Sequence, residues 1–321
     1  MIFTLLPAAY APIGAPLYCA LGDVTASMVE VRIILSPGIL LGTKRMVGHT
    51  NPRFDIAPYL QGCLRFNLAS DEATGAQVAT DRQLMVHLEA EADGEVISSA
   101  PFLLRVACSE EPTSALLTCL PGNRLLAPAE SDELTILADA PQPIRLVATG
   151  RDGSVTLQEY IIPAQSLWRF RIRAADFPDA DTVLFDASPI GVIRYTMLDA
   201  PEGSCRLAWR NSRGGVDHYT FPIVERVTTT IEKERACNDI GVRVIRALGE
   251  EQIVLRSAYE QEEMMRGLKE LLTAEEVWRV GKNGYEAIDV LTDEADIYHH
   301  GSLSTLVIKI RSTQKNKSLW N

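Results

Sequence analysis

The 321-residue chain lacks the local patterns that mark an enzyme. It has no G-x-S-x-G elbow to lift a serine nucleophile on a tight strand-to-helix turn. It has no G-x-x-x-x-G-K-[ST] loop either; Gly281-Lys282 is missing the earlier glycine that lets backbone amides cradle phosphate. No G-x-G-x-x-G follows a strand pattern. The five histidines, His49, His87, His218, His299 and His300, form neither H-x-x-x-H nor H-E-x-x-H. Neighbours on a strand point to opposite faces, so His299 and His300 suggest a turn beside Gly301 and not a shared metal ion. Asp293, Glu294 and Asp296 are acidic but lack EF-hand spacing. Glu110-Glu111 and Glu275-Glu276 could act as paired carboxylates only if folding brought partners close to them. The expectation is a non-enzymatic protein with no catalytic, cofactor or metal residues.

Other absences narrow the class. The six cysteines, Cys19, Cys63, Cys108, Cys119, Cys205 and Cys237, include no C-x-x-C pair, and their wide intervals suit buried thiols in a reducing compartment. An even count leaves one or two disulfides open. Lys and Arg number 31 against 42 Asp and Glu, a net charge of -11, whereas nucleic-acid binding needs a concentrated basic face. No long unbroken apolar run suits a membrane span. The first 22 residues are uncharged, but they have no basic n-region, and Pro7, Pro12 and Pro16 break any apolar helix. Residues 1–21 read as an extended entry segment lying on the first domain, not as a signal peptide.

What is present is strand pattern. Residues 29–35, 83–89 and 102–107 alternate or are β-branched, with Ser36-Pro37-Gly38 and Ala92-Asp93-Gly94 as turns. Residues 53–60 begin as a strand that Pro58 redirects. After a linker at Ser109-Glu110-Glu111-Pro112, further strands are expected over 134–137, 144–148, 154–161, 167–172 and 192–198. Ala140-Pro141-Gln142-Pro143 and Arg151-Asp152-Gly153 supply turns among them. Asp199-Ala200-Pro201-Glu202-Gly203 reads as a second boundary. The expected fold is mainly β: sandwich-like domains at 1–108 and 109–200, then a smaller α+β domain at 201–321.

The third region carries further strands at 224–232, 242–247, 277–280, 285–291 and 303–310, and one amphipathic helix. Ser257-Ala258-Tyr259-Glu260 matches a capping box. Met264, Met265, Leu268, Leu271 and Leu272 follow at helical spacing, with Glu262 four residues before Arg266. The most specific segment is the run from Leu207 to Phe221. Alternation puts Leu207, Trp209 and Asn211 on one face and Asp217, Tyr219 and Phe221 on one face of a return strand. Residues 212–215 supply the turn, with Gly214 and Gly215 where positive φ is expected. The rings should pack across the strand pair and anchor the third domain.

This W-x-N-x-x-G-G-x-D-x-Y-x-F run resembles one found in tail and baseplate proteins of tailed phages and prophages. Residues 54–60 resemble a segment of their first β-sandwich module, and residues 271–278 with 285–290 resemble their closing helix-then-strand unit. The resemblance implies a distal-tail or baseplate component of the virion tail, assembled in the bacterial cytoplasm. Such a protein forms a ring or other symmetric homo-oligomer and joins the tube to receptor-binding parts, without catalytic residues. One departure is clear. Distal-tail proteins carry their ring-forming domain at the N-terminus, whereas here the helix-containing domain is last. The alternative expectation is a surface adhesion module binding carbohydrate or protein through sandwich loops. In the C-terminal tail, Lys315, Lys317, Leu319 and Trp320 form a candidate subunit interface, because tryptophan is enriched at interface hot spots and lysines can steer toward an acidic neighbour.

Overall fold

The computed structural model describes the chain except residues 64, 69–72, 109–113, 239–240, 282–283, 292–294 and 314–321. The fold is mainly β, with 60% of residues in strands and 7% in helices. Period-2 burial builds the first sandwich. In Met28–Leu35, Val29, Val31 and Ile33 point inward; in Gln83–Ala92, Leu84, Val86, Leu88 and Ala90 do. These strands lie in a six-stranded sheet. Facing it across a shared core is a three-stranded sheet of Ile2–Leu5, Tyr18–Gly22 and Arg53–Asp55. The entry segment therefore supplies strands to both layers of the sandwich, Ala11–Pro12 joining the six-stranded sheet, and is not a strap over it. Asp55 ends its strand by accepting the Leu17 and Ala57 amides at 2.8 and 2.9 Å, which starts the short helix Ala57–Leu60 containing Pro58.

A second sandwich follows. Its four-stranded sheet contains Ser131–Ala138 and Ser166–Arg173, and its five-stranded sheet contains Gln142–Gly150 and Ala180–Asp186. Phe170 stands edge-on to both Tyr160 and Phe185 at 5.0 Å between centroids, at the centre of the core. Two details differ from the sequence expectation. Gln142 and Pro143, read as turn residues, open a strand, a position where proline leaves the ladder intact. The strand Gly75–Val78, from the first segment, pairs with Ser166–Arg173, so sheet membership crosses the boundary expected at 108/109.

The third module has the largest sheet, of eight antiparallel strands, with the helix Glu262–Thr273 over its core. Met265, Leu268 and Leu271 are buried, and the Glu262–Arg266 pair forms at 3.5 Å on the exposed side. The expected capping box does not form. The helix begins after Gln261, and the Ser257 hydroxyl accepts the Leu306 amide while Glu260 accepts the Tyr219 hydroxyl. Cross-strand partners outcompete the local ones. All six cysteines are free; Cys19 and Cys205 are buried as expected, but Cys108 and Cys237 are exposed.

The largest surprise is a hairpin of two 16-residue strands, Ile223–Asn238 and Gly241–Arg256. Among the described residues only Gln252–Arg256 pairs with the rest of the sheet, through Val307–Arg311. Beyond it the strands have only each other, and they project by about 35 Å at the usual rise per residue. Pairing gives the arm two unlike faces. One carries Val227, Ile231, Val242, Val244 and Ala247, with Lys233, Arg235 and Glu251 among them; the other carries Arg226, Glu232, Glu234, Arg246 and Glu250, with Leu248 and Val254 among them. A bulge places Ile245 between the paired positions.

Trp209 is fully buried in the third core. Truncating so large a side chain typically costs about 3–5 kcal/mol. In urea melts Trp209→Ala should lose that much. Trp209→Phe should lose far less, because the indole N–H has no acceptor among the described residues. Equal losses would place the effect in the N–H and not in packing.

Candidate functional site at the hairpin tip

The motif of strands Cys205–Arg210 and Val216–Phe221 folds as a hairpin with Leu207 opposite Tyr219 and Trp209 opposite Asp217. Trp209, Tyr219 and Phe221 all enter the third core. Their rings do not meet across the pair, however. Tyr219 and Phe221 stack edge-on along one strand at 5.0 Å, and the carboxylate of Asp217 takes the place beside Trp209. Asn211 organises the turn: its Oδ1 accepts the Arg213 and Gly215 amides at 3.1 and 3.0 Å. Gly214 has φ +88°, as a turn glycine should. Gly215 does not adopt positive φ and is needed for another reason. A Cβ on either glycine would collide with a carbonyl oxygen, Val106 O at Gly214 and Leu117 O at Gly215.

Those carbonyls belong to other parts of the chain, and this converts the hairpin tip into a joint. The Cys108 amide donates to Ser212 O at 2.7 Å, and Arg105 Nη1 donates to Arg213 O at 2.7 Å. From the segment entering the second sandwich, the Cys119 amide donates to Asp217 Oδ2 at 2.9 Å, and the Thr118 hydroxyl donates to Oδ1. Asn211 Nδ2 donates to Leu117 O and to Asp217 Oδ2, at 3.1 and 2.8 Å. Burial pushes the Asp217 carboxyl upward, against these donors. On the helix side, Gly267 lies so close that an added Cβ would sit 2.6 Å from Cys119 O.

A buried charge network continues from the joint along the face between the second sandwich and the third module. Arg124 Nη1 donates to Asp132 at 3.0 Å and Nη2 to Thr118 at 2.6 Å. Tyr195 donates to Asp132 at 2.8 Å, and His218 Nδ1 lies 2.9 Å from the other carboxylate oxygen. Burial would raise Asp132, but Arg124, His218 and Arg206 overrule it and hold the carboxyl well below the usual range. Burial also pushes His218 down, so the imidazole is neutral at pH 7 despite Asp132. Its Nε2 meets Tyr285 at 3.1 Å. Arg206 ties Glu130, Thr220 and Ser131 O together, and Arg82, fully buried, reaches Glu133 and Thr135. Asp132, His218 and Tyr285 form a hydrogen-bonded series, and Arg171 Nη2, 3.3 Å from the Tyr285 hydroxyl, carries it on to the Ser131 hydroxyl at 3.0 Å.

The other residues singled out in the sequence are scattered. His299 meets Ser304 at 2.9 Å and His300 stacks on Tyr259, in a strand that ends at the Gly301 turn. Glu275 and Glu276 pair with Arg210. The linker at 109–112, together with Asp293 and Glu294, lies outside the described residues, and so do Lys315, Lys317, Leu319 and Trp320. Sequence reading missed Arg82, Arg124, Asp132, Glu133 and Arg206. Only Arg206 carried a local signal, a charged residue inside a strand between two apolar neighbours, Cys205 and Leu207; each of the other four has at least one polar or charged neighbour.

The network makes a pH-dependent prediction. Removing one member of a buried ion pair typically costs about 3–5 kcal/mol. Asp132→Asn should show such a loss at pH 7. A carboxyl depressed in the folded state stabilises fully above the ordinary unfolded value of about 3.9 and loses that contribution as pH falls through the folded value. The gap between wild type and variant should therefore narrow below about pH 4. A gap unchanged down to pH 2 would mean that Asp132 is not a buried carboxylate.

No protein-family model matches the chain, and neither does any curated protein sequence.

Proposed function

We propose that the protein is a non-enzymatic structural component of a phage-type tail or baseplate, located in the virion tail and forming a symmetric assembly of its own copies that joins tube to receptor-binding parts. The observation that carries this reading is the arm. An isolated two-stranded hairpin is marginal in water, and this one leaves Val227, Ile231, Val242, Val244 and Ile245 each at least 45% exposed. Covering such a side chain fully stabilises by roughly 1.5–3 kcal/mol. The first strand of the arm is also the terminal strand of its sheet, with one edge unpaired among the described residues. The apolar face runs on from Ile253, which packs on the third core, so a covering partner would extend an existing core. A second copy is the simplest partner. The arm of one molecule laid on the sheet edge of the next is a head-to-tail contact, and such contacts close into rings when their rotation permits.

Analytical ultracentrifugation with negative-stain imaging tests this. The full chain should sediment as an oligomer and show rings. The double substitution Ile231→Glu, Val244→Glu should shift it to monomer, and its melting temperature should match that of wild type diluted to the monomeric state, because exposed positions rarely alter the stability of the monomer by more than about 0.5 kcal/mol. A wild-type chain that stays monomeric at high concentration, or a double variant that still assembles, would remove the arm as the basis of assembly.

A further inference from the structure

A cavity of about 330 Å³ opens between the second sandwich and the third module, beside the base of the arm, where Pro222 and Ala258 line it. That volume is at the small end of the roughly 300–1,000 Å³ typical of ligand sites, enough for one side chain or a small molecule. Leu125, Leu198, Pro222 and Met264 supply apolar wall, and Leu125 and Leu198 are 62% and 57% exposed where the cavity meets solvent. Three carboxylates line it, the exposed Asp199 and the half-buried Glu130 and Glu260, and the last two differ in one respect; Arg124, also in the lining, is paired with Asp132 at 3.0 Å. Both oxygens of Glu130 are used: the Ala127 amide and Arg206 Nη1 donate to Oε2, and the Thr220 hydroxyl donates to Oε1. Glu260 receives only the Tyr219 hydroxyl, at 2.7 Å on Oε1, and among the described residues no cationic side chain forms an ion pair with it.

Glu260 is also held in place. Its backbone exchanges two hydrogen bonds with Ser304, both 2.8 Å, and the Tyr219 hydroxyl that meets its side chain is fixed in turn by the Ala258 amide at 3.0 Å. A half-buried, immobilised carboxylate without a counter-ion is unfavourable in an apolar wall unless a charge of opposite sign joins it. Burial accordingly pushes the Glu260 carboxyl upward, against the Tyr219 hydrogen bond. The network beside it shows the contrast: Asp132, Glu133 and Glu130 each have an arginine.

We propose that this cavity binds a primary alkylammonium group, its aliphatic stem between Leu125, Leu198, Pro222 and Met264 and its ammonium against Glu260. The chemistry is shared by a lysine side chain of a partner chain and by a free aliphatic amine. An alkylammonium is suited to such a site because its stem can be buried along apolar surface while its head meets the carboxylate.

Titration of the full-length protein with n-hexylammonium and with n-hexanol, followed by calorimetry, tests the pairing. Hexylammonium should bind at least tenfold more tightly than the neutral alcohol. Glu260→Gln, checked for an unchanged melt, should bring the two to equal affinity. Leu198→Arg, at the exposed rim, should weaken both without involving the Glu260 hydrogen bonds. Equal binding of amine and alcohol to wild type overturns the proposal, as does a preference that survives Glu260→Gln or hexylammonium binding unaffected by Leu198→Arg. A capped lysine peptide then separates the sources. Tighter binding than hexylammonium assigns the site to a partner's lysine, and weaker binding assigns it to a small amine.

Discussion

The arrangement of this chain depends on one close approach: the backbone at Gly214 and Gly215 against the carbonyls of Val106 and Leu117. Three segments distant in sequence come within main-chain contact there. They are the end of the first sandwich, the entry to the second, and the hairpin of the third module. No side chain fits between them, so the contact is made by hydrogen-bonded backbone and by Asn211 and Asp217, which satisfy donors and acceptors on both sides. Buried polar groups of this kind must be paired, and here each polar atom of the two side chains has a named partner. Small residues thus set the geometry, and polar residues make departures from it costly.

The charge network extends the same logic from backbone to side chains. Arg82, Arg124 and Arg206 are removed from water together with Glu133, Asp132 and Glu130. Desolvation offsets much of the attraction in such pairs, and apolar replacements of similar volume are often no less stable. Orientation is where the network differs from an apolar interface. An apolar contact between modules tolerates sliding, whereas Asp132 held at once by Arg124 of its own sandwich and by His218 of the third module does not. Arg206 bridges Glu130 and Ser131 of the second sandwich to Thr220 of the third module, so a small displacement would leave a buried charge unpaired.

Features with local causes were legible in the sequence. The alternation of Val29, Val31 and Ile33 and the stripe of Met265, Leu268 and Leu271 each follow from a period that the backbone imposes. The burial of Trp209, Tyr219 and Phe221 was readable for the same reason. Features with distant causes were not. Ser257 and Glu260 have the spacing of a capping box, but their partners are Leu306 and Tyr219, which the sheet brings from about 40 to 50 residues away. Gly215 was read as a turn glycine, although the constraint on it comes from Leu117. The arm was underestimated for a further reason. Its residues alternate as those of a half-buried strand do, and nothing local distinguishes a strand that is covered from one that projects bare.

Joint and arm are mechanically linked. Only Pro222 separates the hairpin's return strand from the first strand of the arm, so the orientation of one constrains that of the other. An arm of about 35 Å is a lever: a rotation of about 10° at its base moves the tip by about 6 Å, more than the spacing of neighbouring strands. Pairing along a sheet edge cannot absorb a displacement of that size without losing its hydrogen bonds. Any ordered contact made by the tip therefore requires a base held to within a few degrees. Loosely packed modules would not provide that stiffness, but a main-chain contact too tight for a Cβ, backed by arginines with several fixed partners each, does.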